Sequence, residues 1–74
     1  MQPLGKVVNI TKRGHVVARG ASQPRLGWRV LDQRGRDIGK VSDLIGPVRE
    51  PYILVAPQKG ADVRRLLGQE LFTR

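Results

Sequence analysis

Glycine and proline punctuate this chain so closely that no long helix fits between them. The longest stretch free of both, Lys6 to Arg13, is eight residues. A glycine inside a helix costs about 1 kcal/mol and a proline about 3 kcal/mol. Short runs rich in Val, Ile and Thr between turn formers are the pattern of strands. Residues 4–11 (LGKVVNIT) form a first strand. Lys12-Arg13-Gly14 is a turn with Gly14 at positive φ, and residues 15–19 (HVVAR) complete a hairpin. Residues 20–27 are a loop by composition. Residues 28–32 (WRVLD) form a third strand, 33–35 a turn, and 36–45 (RDIGKVSDLI) a longer fourth strand with Gly39 suited to a bend or bulge. A prolyl loop over 46–51 leads to a fifth strand at 52–56 (YILVA). After a connection at 57–60, residues 61–67 (ADVRRLL) fit one or two helical turns ended by Gly68, and 70–73 (ELFT) is a short sixth strand.

Six short strands in 74 residues imply an all-β fold, a small closed or nearly closed six-stranded barrel, because closure removes the unpaired edges that otherwise aggregate. The chain, 1–74, is a single domain without repeat or linker. At this length folding buries only roughly 60–65% of the unfolded surface, enough for one small core and no deep dry cleft. There is no Cys and one His, which excludes a disulfide framework, Cys-ligated metal and multi-imidazole zinc or haem sites. No apolar run approaches the ~20 residues of a membrane span, so the expectation is a soluble intracellular protein.

Lys and Arg number 14, ten of them Arg, against six Asp and Glu, a net charge of +8. Such a balance draws nucleic acid or an acidic protein surface. The basic residues are spread along the chain, with pairs only at Lys12-Arg13 and Arg64-Arg65, so there is no basic tail. Three scattered aromatics, Trp28, Tyr52 and Phe72, offer no stacking platform for bases.

A barrel strand normally alternates, apolar inward and polar outward. The third strand does so roughly, with Trp28, Val30 and Asp32 on one side and Arg29 and Leu31 on the other. The fifth does not: Tyr52, Leu54 and Ala56 share one face and Ile53 and Val55 the other, and both faces are apolar. One face fills the core; the other is covered either by the 61–67 segment or by a second protein. The loop before it repeats the anomaly, crowding Leu44, Ile45, Pro47 and Val48 where a turn is ordinarily polar. Contiguous apolar surface on a soluble domain marks an interface, and a proline-stiffened loop loses less entropy on docking.

No catalytic constellation stands out. His15 lies beside a turn, and the hydroxyls of Thr11, Ser22, Ser42, Thr73 and Tyr52 sit in no nucleophile-elbow pattern. Asp32, Asp37 and Asp43 match no cation-loop spacing, and no glycine run has phosphate-loop spacing followed by a helix. The expectation is a non-enzymatic chain without cofactor, metal or small-molecule substrate.

From Val30 to Tyr52 the chain reads V-x-D-x-x-G-x-x-I-G-x-V-x-D-x-I-G-P-V-x-x-P-Y. This resembles the Gar proteins, the small β-barrel subunit of the H/ACA box ribonucleoprotein that makes pseudouridine in RNA. Leu4-Gly5-Lys6-Val7 and Gly68-Gln69-Glu70-Leu71-Phe72 are similar to that family as well. The sharpest part is Gly46-Pro47-Val48 followed by Pro51-Tyr52. The earlier half is shared with PRC-barrel adaptors, which lack the G-P-V-x-x-P-Y ending. Eukaryotic Gar proteins carry glycine-arginine-rich tails that this chain does not, so the resemblance is to the archaeal form.

The resemblance implies a six-stranded barrel like the second domain of translation elongation factors. It implies a non-catalytic subunit that docks on a pseudouridine synthase of the dyskerin type and favours substrate turnover through the synthase's mobile loop. Guide RNA, a small Nop protein and a kink-turn-binding ribosomal-type protein would share the complex without being gripped by this chain. The compartment would be the cytoplasm of an archaeal cell, or the nucleolus of a eukaryotic one. The partner-binding residues would be Ile45, Gly46, Pro47, Val48, Pro51 and Tyr52, with Lys40 and Arg49 near partner carboxylates or substrate RNA. A PRC-type adaptor, or a small basic barrel that binds RNA directly, is the alternative.

Overall fold

The computed structural model describes residues 2–20, 24–47 and 49–74. Six strands, β1 (Gln2–Ile10), β2 (Val16–Arg19), β3 (Arg29–Leu31), β4 (Asp37–Ile45), β5 (Tyr52–Pro57) and β6 (Glu70–Thr73), close into a barrel in the order β1-β2-β5-β4-β3-β6. The expected elements are all present, with bounds within two residues. The 61–67 segment is a single 3₁₀ turn, Val63–Leu66. Among the described residues no helix is long and apolar enough to cross a membrane.

Every neighbouring pair of strands is antiparallel. Odd strands therefore run one way and even strands the other. The β1–β2, β3–β4 and β5–β6 connections gather at one end of the barrel, and the β2–β3 and β4–β5 connections at the opposite end. This separation organises everything functional below.

The core is built from the inward-facing residues of each strand: Leu4 and Val7, Val16 and Ala18, Val30, Ile38 and Val41, Ile53 and Val55, and Leu71. Leu66, from the 3₁₀ turn, closes one end; the turn packs on β1, and the Gly68 N–H donates to Val7 O at 3.0 Å. On β3, Val30 fills the core while Leu31 is buried outside that cluster, opposite Phe72 of β6.

Six short strands close only with strong twist and bend, and bulges supply it. Register shifts fall at Pro3/Gly5 and Val7/Asn9 on β1, and at Val30/Leu31 and Val41/Asp43 where β4 meets β3 and β5. Gly39 lies between β3 and β5, opposite Val30 on one side and Pro57 on the other. A Cβ there would overlap the Ala56 carbonyl oxygen, so glycine is what lets the two backbones approach. Ser42, the extra residue of the Val41/Asp43 bulge, donates its hydroxyl to Leu54 O at 3.1 Å.

Candidate docking surface

The β4–β5 connection, residues 46–51, begins and ends at a register pair, Ile45 and Tyr52. Gly46 makes the first bend at φ 93°, a conformation side-chain-bearing residues avoid. Its face is open towards Tyr52, whose Cδ2 would stand 3.4 Å from an added Cβ. Pro47 is exposed, whereas Pro51 is buried. Pro51 can therefore fix the loop but cannot touch a partner. Val48 lies outside the described residues.

Alternation on β5 resolves as its sequence demanded. Ile53 and Val55 are fully buried, and Tyr52, Leu54 and Ala56 face outward with partial exposure. The 3₁₀ turn does not lid them, since it packs on β1 at the far end of the barrel. Among the described residues, Ile45 is 53% exposed and Tyr52 39%.

Strand register extends this pair into two rows across four strands. One row is Lys6, Arg19, Tyr52 and Ile45; the next is Asn9, Val17, Leu54 and Asp43. Val8, at the β1 bulge beside the second row, is also exposed. The result is an apolar stripe of Ile45, Tyr52, Leu54 and Val17 flanked by Lys6 and Arg19 on one side and Asp43 on the other. Arg19 reaches over Tyr52, its Cζ 5.6 Å from the ring centroid, and its terminal nitrogen is 2.9 Å from Glu50 Oε2.

The structure thus brings Ile45, Gly46, Pro47 and Tyr52 together on one open surface. Arg49 is exposed within the same loop. Lys40 is not part of it: it pairs with Arg29 and Ala56, nearer the other end of the wall. Arg19, Val17 and Leu54 are members that motif reading passed over. Leu54 had a local signal in the doubly apolar fifth strand. Arg19 and Val17 had none, because their place depends on β2 pairing with a strand more than 30 residues later.

The three aspartates considered as a group go separate ways. Asp32 Oδ1 accepts the Arg34 and Arg36 backbone N–H groups, each at 2.9 Å. Asp37 takes a bidentate hydrogen bond from Arg29, at 2.8 and 2.6 Å, and one from the Gly39 N–H. The Arg29 hydrogen bond holds the Asp37 carboxyl below its ordinary range and raises the guanidinium in turn. Asp43 Oδ1 accepts from the Leu44 N–H.

Fold and surface together define the class: a small closed all-β barrel with an exposed apolar stripe on one wall. No family model matches the chain. An uncharacterised protein of Methanothermobacter thermautotrophicus is 32% identical over 75 residues, covering 97% of this chain and 82% of that protein. An uncharacterised protein of Methanocaldococcus jannaschii is 36% identical over 52 residues, covering 70% of this chain and 63% of that protein. The chain belongs to the same family as the Methanothermobacter protein.

Proposed function

We propose that this chain is a non-catalytic docking subunit of an RNA-guided pseudouridylation complex, seated on the catalytic domain of a dyskerin-type synthase in the cytoplasm of an archaeal cell. The single observation that carries the reading is a coincidence of position. The residues most similar to the Gar signature, Gly46-Pro47 and Tyr52, lie together on an exposed apolar wall, where the cover over Tyr52 is the solvent-exposed Arg19 side chain. A stable interface takes about 800 Å² from each partner, roughly a sixth of this chain's 5149 Å², and the two rows with the loop form one continuous face for it. Tyr52 is the rigid anchor, Ile45 adds methyls, and Lys6, Arg19 and Arg49 set the rim for an acidic partner edge.

A subunit with no chemistry of its own changes turnover only by binding one state of the enzyme better than another. Here that state is the synthase with its substrate-gating loop open or free to move. A coupling of about 1–3 kcal/mol corresponds to a 5–150-fold effect.

The test is reconstitution of the full chain with an archaeal dyskerin-type synthase without RNA. Co-elution in a one-to-one complex is expected. Ile45→Asp and Tyr52→Ala should each weaken it about 30-fold or more, the loss of a central anchor worth ~2 kcal/mol, while circular dichroism stays that of the wild type. Wild-type binding by both variants, or unchanged multiple-turnover rate and product release on adding the chain, overturns the reading.

A further inference from the structure

The end of the barrel opposite the docking loop concentrates the chain's charge. Its three connections hold Lys12, Arg13, Arg34, Arg36, Lys59, Arg64 and Arg65, half of the 14 Lys and Arg. The acids nearby are already engaged within the chain. Asp32 accepts from two backbone N–H groups, Asp37 is held by Arg29, and Asp62 Oδ2 lies 3.6 Å from Arg65 Nε. Among the described residues, Arg34, Arg36 and Lys59 have no carboxylate within ion-pair distance.

Those three side chains line one open cleft of about 530 Å³ between the β3–β4 turn and the segment before the 3₁₀ turn. Gln58 and Gln69 add amides to its wall, the buried Ile38 and Leu66 lie behind them, and the engaged carboxylates Asp32, Asp37 and Asp62 line it too. Sites for compact organic ligands are enclosed and mostly apolar; this one is open and polar. A protein partner needs an apolar or aromatic anchor at its centre. Of the large apolar side chains that stand exposed among the described residues, only Leu67 is on these connections. None of the three aromatics is there either, so unstacked bases have nothing to lie on.

What remains is a regularly spaced polyanion with hydroxyls at its edge. Arginine's planar fork matches phosphate oxygens two at a time. Glutamine amides suit the 2′-hydroxyls and base edges that an A-form helix displays in its shallow groove. We propose that this end of the barrel, centred on Arg34, Arg36 and Lys59, is a binding site for the phosphate backbone of double-helical RNA, reading charge and shape rather than sequence.

The experiment uses the full chain and a labelled RNA hairpin of about 16 base pairs, which presents two successive minor grooves. Fluorescence anisotropy is followed between about 50 and 200 mM salt. Arg34→Gln/Arg36→Gln/Lys59→Gln should flatten the slope of log affinity against log salt by about 2–3, close to one per neutralised contact. The single variant Lys59→Gln, at an exposed site, should flatten it by about one. Arg25→Gln/Arg49→Gln/Arg74→Gln removes the same charge from the opposite end and should cost clearly less, and Arg34→Lys/Arg36→Lys should keep the wild-type slope. Equal losses in the two triple variants overturn the site. Absence of salt-dependent binding by the wild type, or displacement of the hairpin by polyglutamate as readily as by unlabelled RNA, overturns the ligand class. Ile45→Asp should leave RNA binding unchanged, which separates this proposal from the docking reading.

Discussion

Arg19 of β2 covers the outer face of Tyr52 on β5 with its Cζ 5.6 Å from the ring centroid, while Glu50, two residues before the tyrosine, holds the same guanidinium at 2.9 Å. The cover is local and light. Both charged side chains are more than half exposed, and an ion pair in that setting contributes about 0.2–1 kcal/mol. Arg19→Ala should therefore lower stability by less than about 1 kcal/mol, a fall in melting temperature of at most about 4–8 °C for a domain of this size. A loss of several kcal/mol in thermal or denaturant melts would mean that Tyr52 is locked by this contact rather than available to a partner.

The strand pattern, the barrel and the odd character of the fifth strand were all legible in the residues. Glycine and proline bounded the four middle strands, and only closure leaves no edge in so short a chain. The split of Ile53 and Val55 inward from Tyr52, Leu54 and Ala56 outward follows from a two-residue period. What local pattern could not supply was which strands become neighbours. β2 pairs with β5 across the whole middle of the chain, so Arg19 and Val17 joined the surface unannounced. The same reason hid the gathering of basic residues at one end: spread evenly in sequence, they converge because odd and even strands run oppositely. The third strand shows a further limit. Leu31 is buried although it lies outside the core cluster, because β6 brings Phe72 opposite it, a contact between residues 41 positions apart.

Acid should expose the Arg29–Asp37 clamp. The Asp37 carboxyl titrates below its ordinary value of 3.8, first because of the Arg29 hydrogen bond. A group whose folded-state value is depressed contributes stability above its unfolded-state value and loses it as the pH falls through the folded-state one. The unfolded chain binds the proton first, so stability rises with pH across that window. The advantage of the wild type over Asp37→Asn should be complete at neutral pH and shrink as the pH is lowered through and beneath 3.8. Denaturant titrations of both proteins at a series of acidic pH values provide the check. A constant difference between them would show that the clamp acts through geometry alone.

Ile53 and Leu54 are adjacent and of equal size, yet they belong to different problems. Ile53 is fully buried between β2 and β4. Ile53→Ala leaves a hole that a small, tightly curved barrel cannot refill, at a cost of about 2–5 kcal/mol. Leu54 faces outward between Val17 and Asp43, so Leu54→Ala should cost under about 1 kcal/mol, as changes away from the core do. In binding the order reverses. Where Ile53→Val, a mild change of about 0.5–1.5 kcal/mol, should leave the affinity for the synthase as it is, Leu54→Ala should weaken it while the barrel melts nearly as before. Calorimetric titration alongside thermal melts separates the two effects. Unchanged affinity in Leu54→Ala would confine the docking surface to the β4–β5 loop, because the second row of the wall would then make no contact.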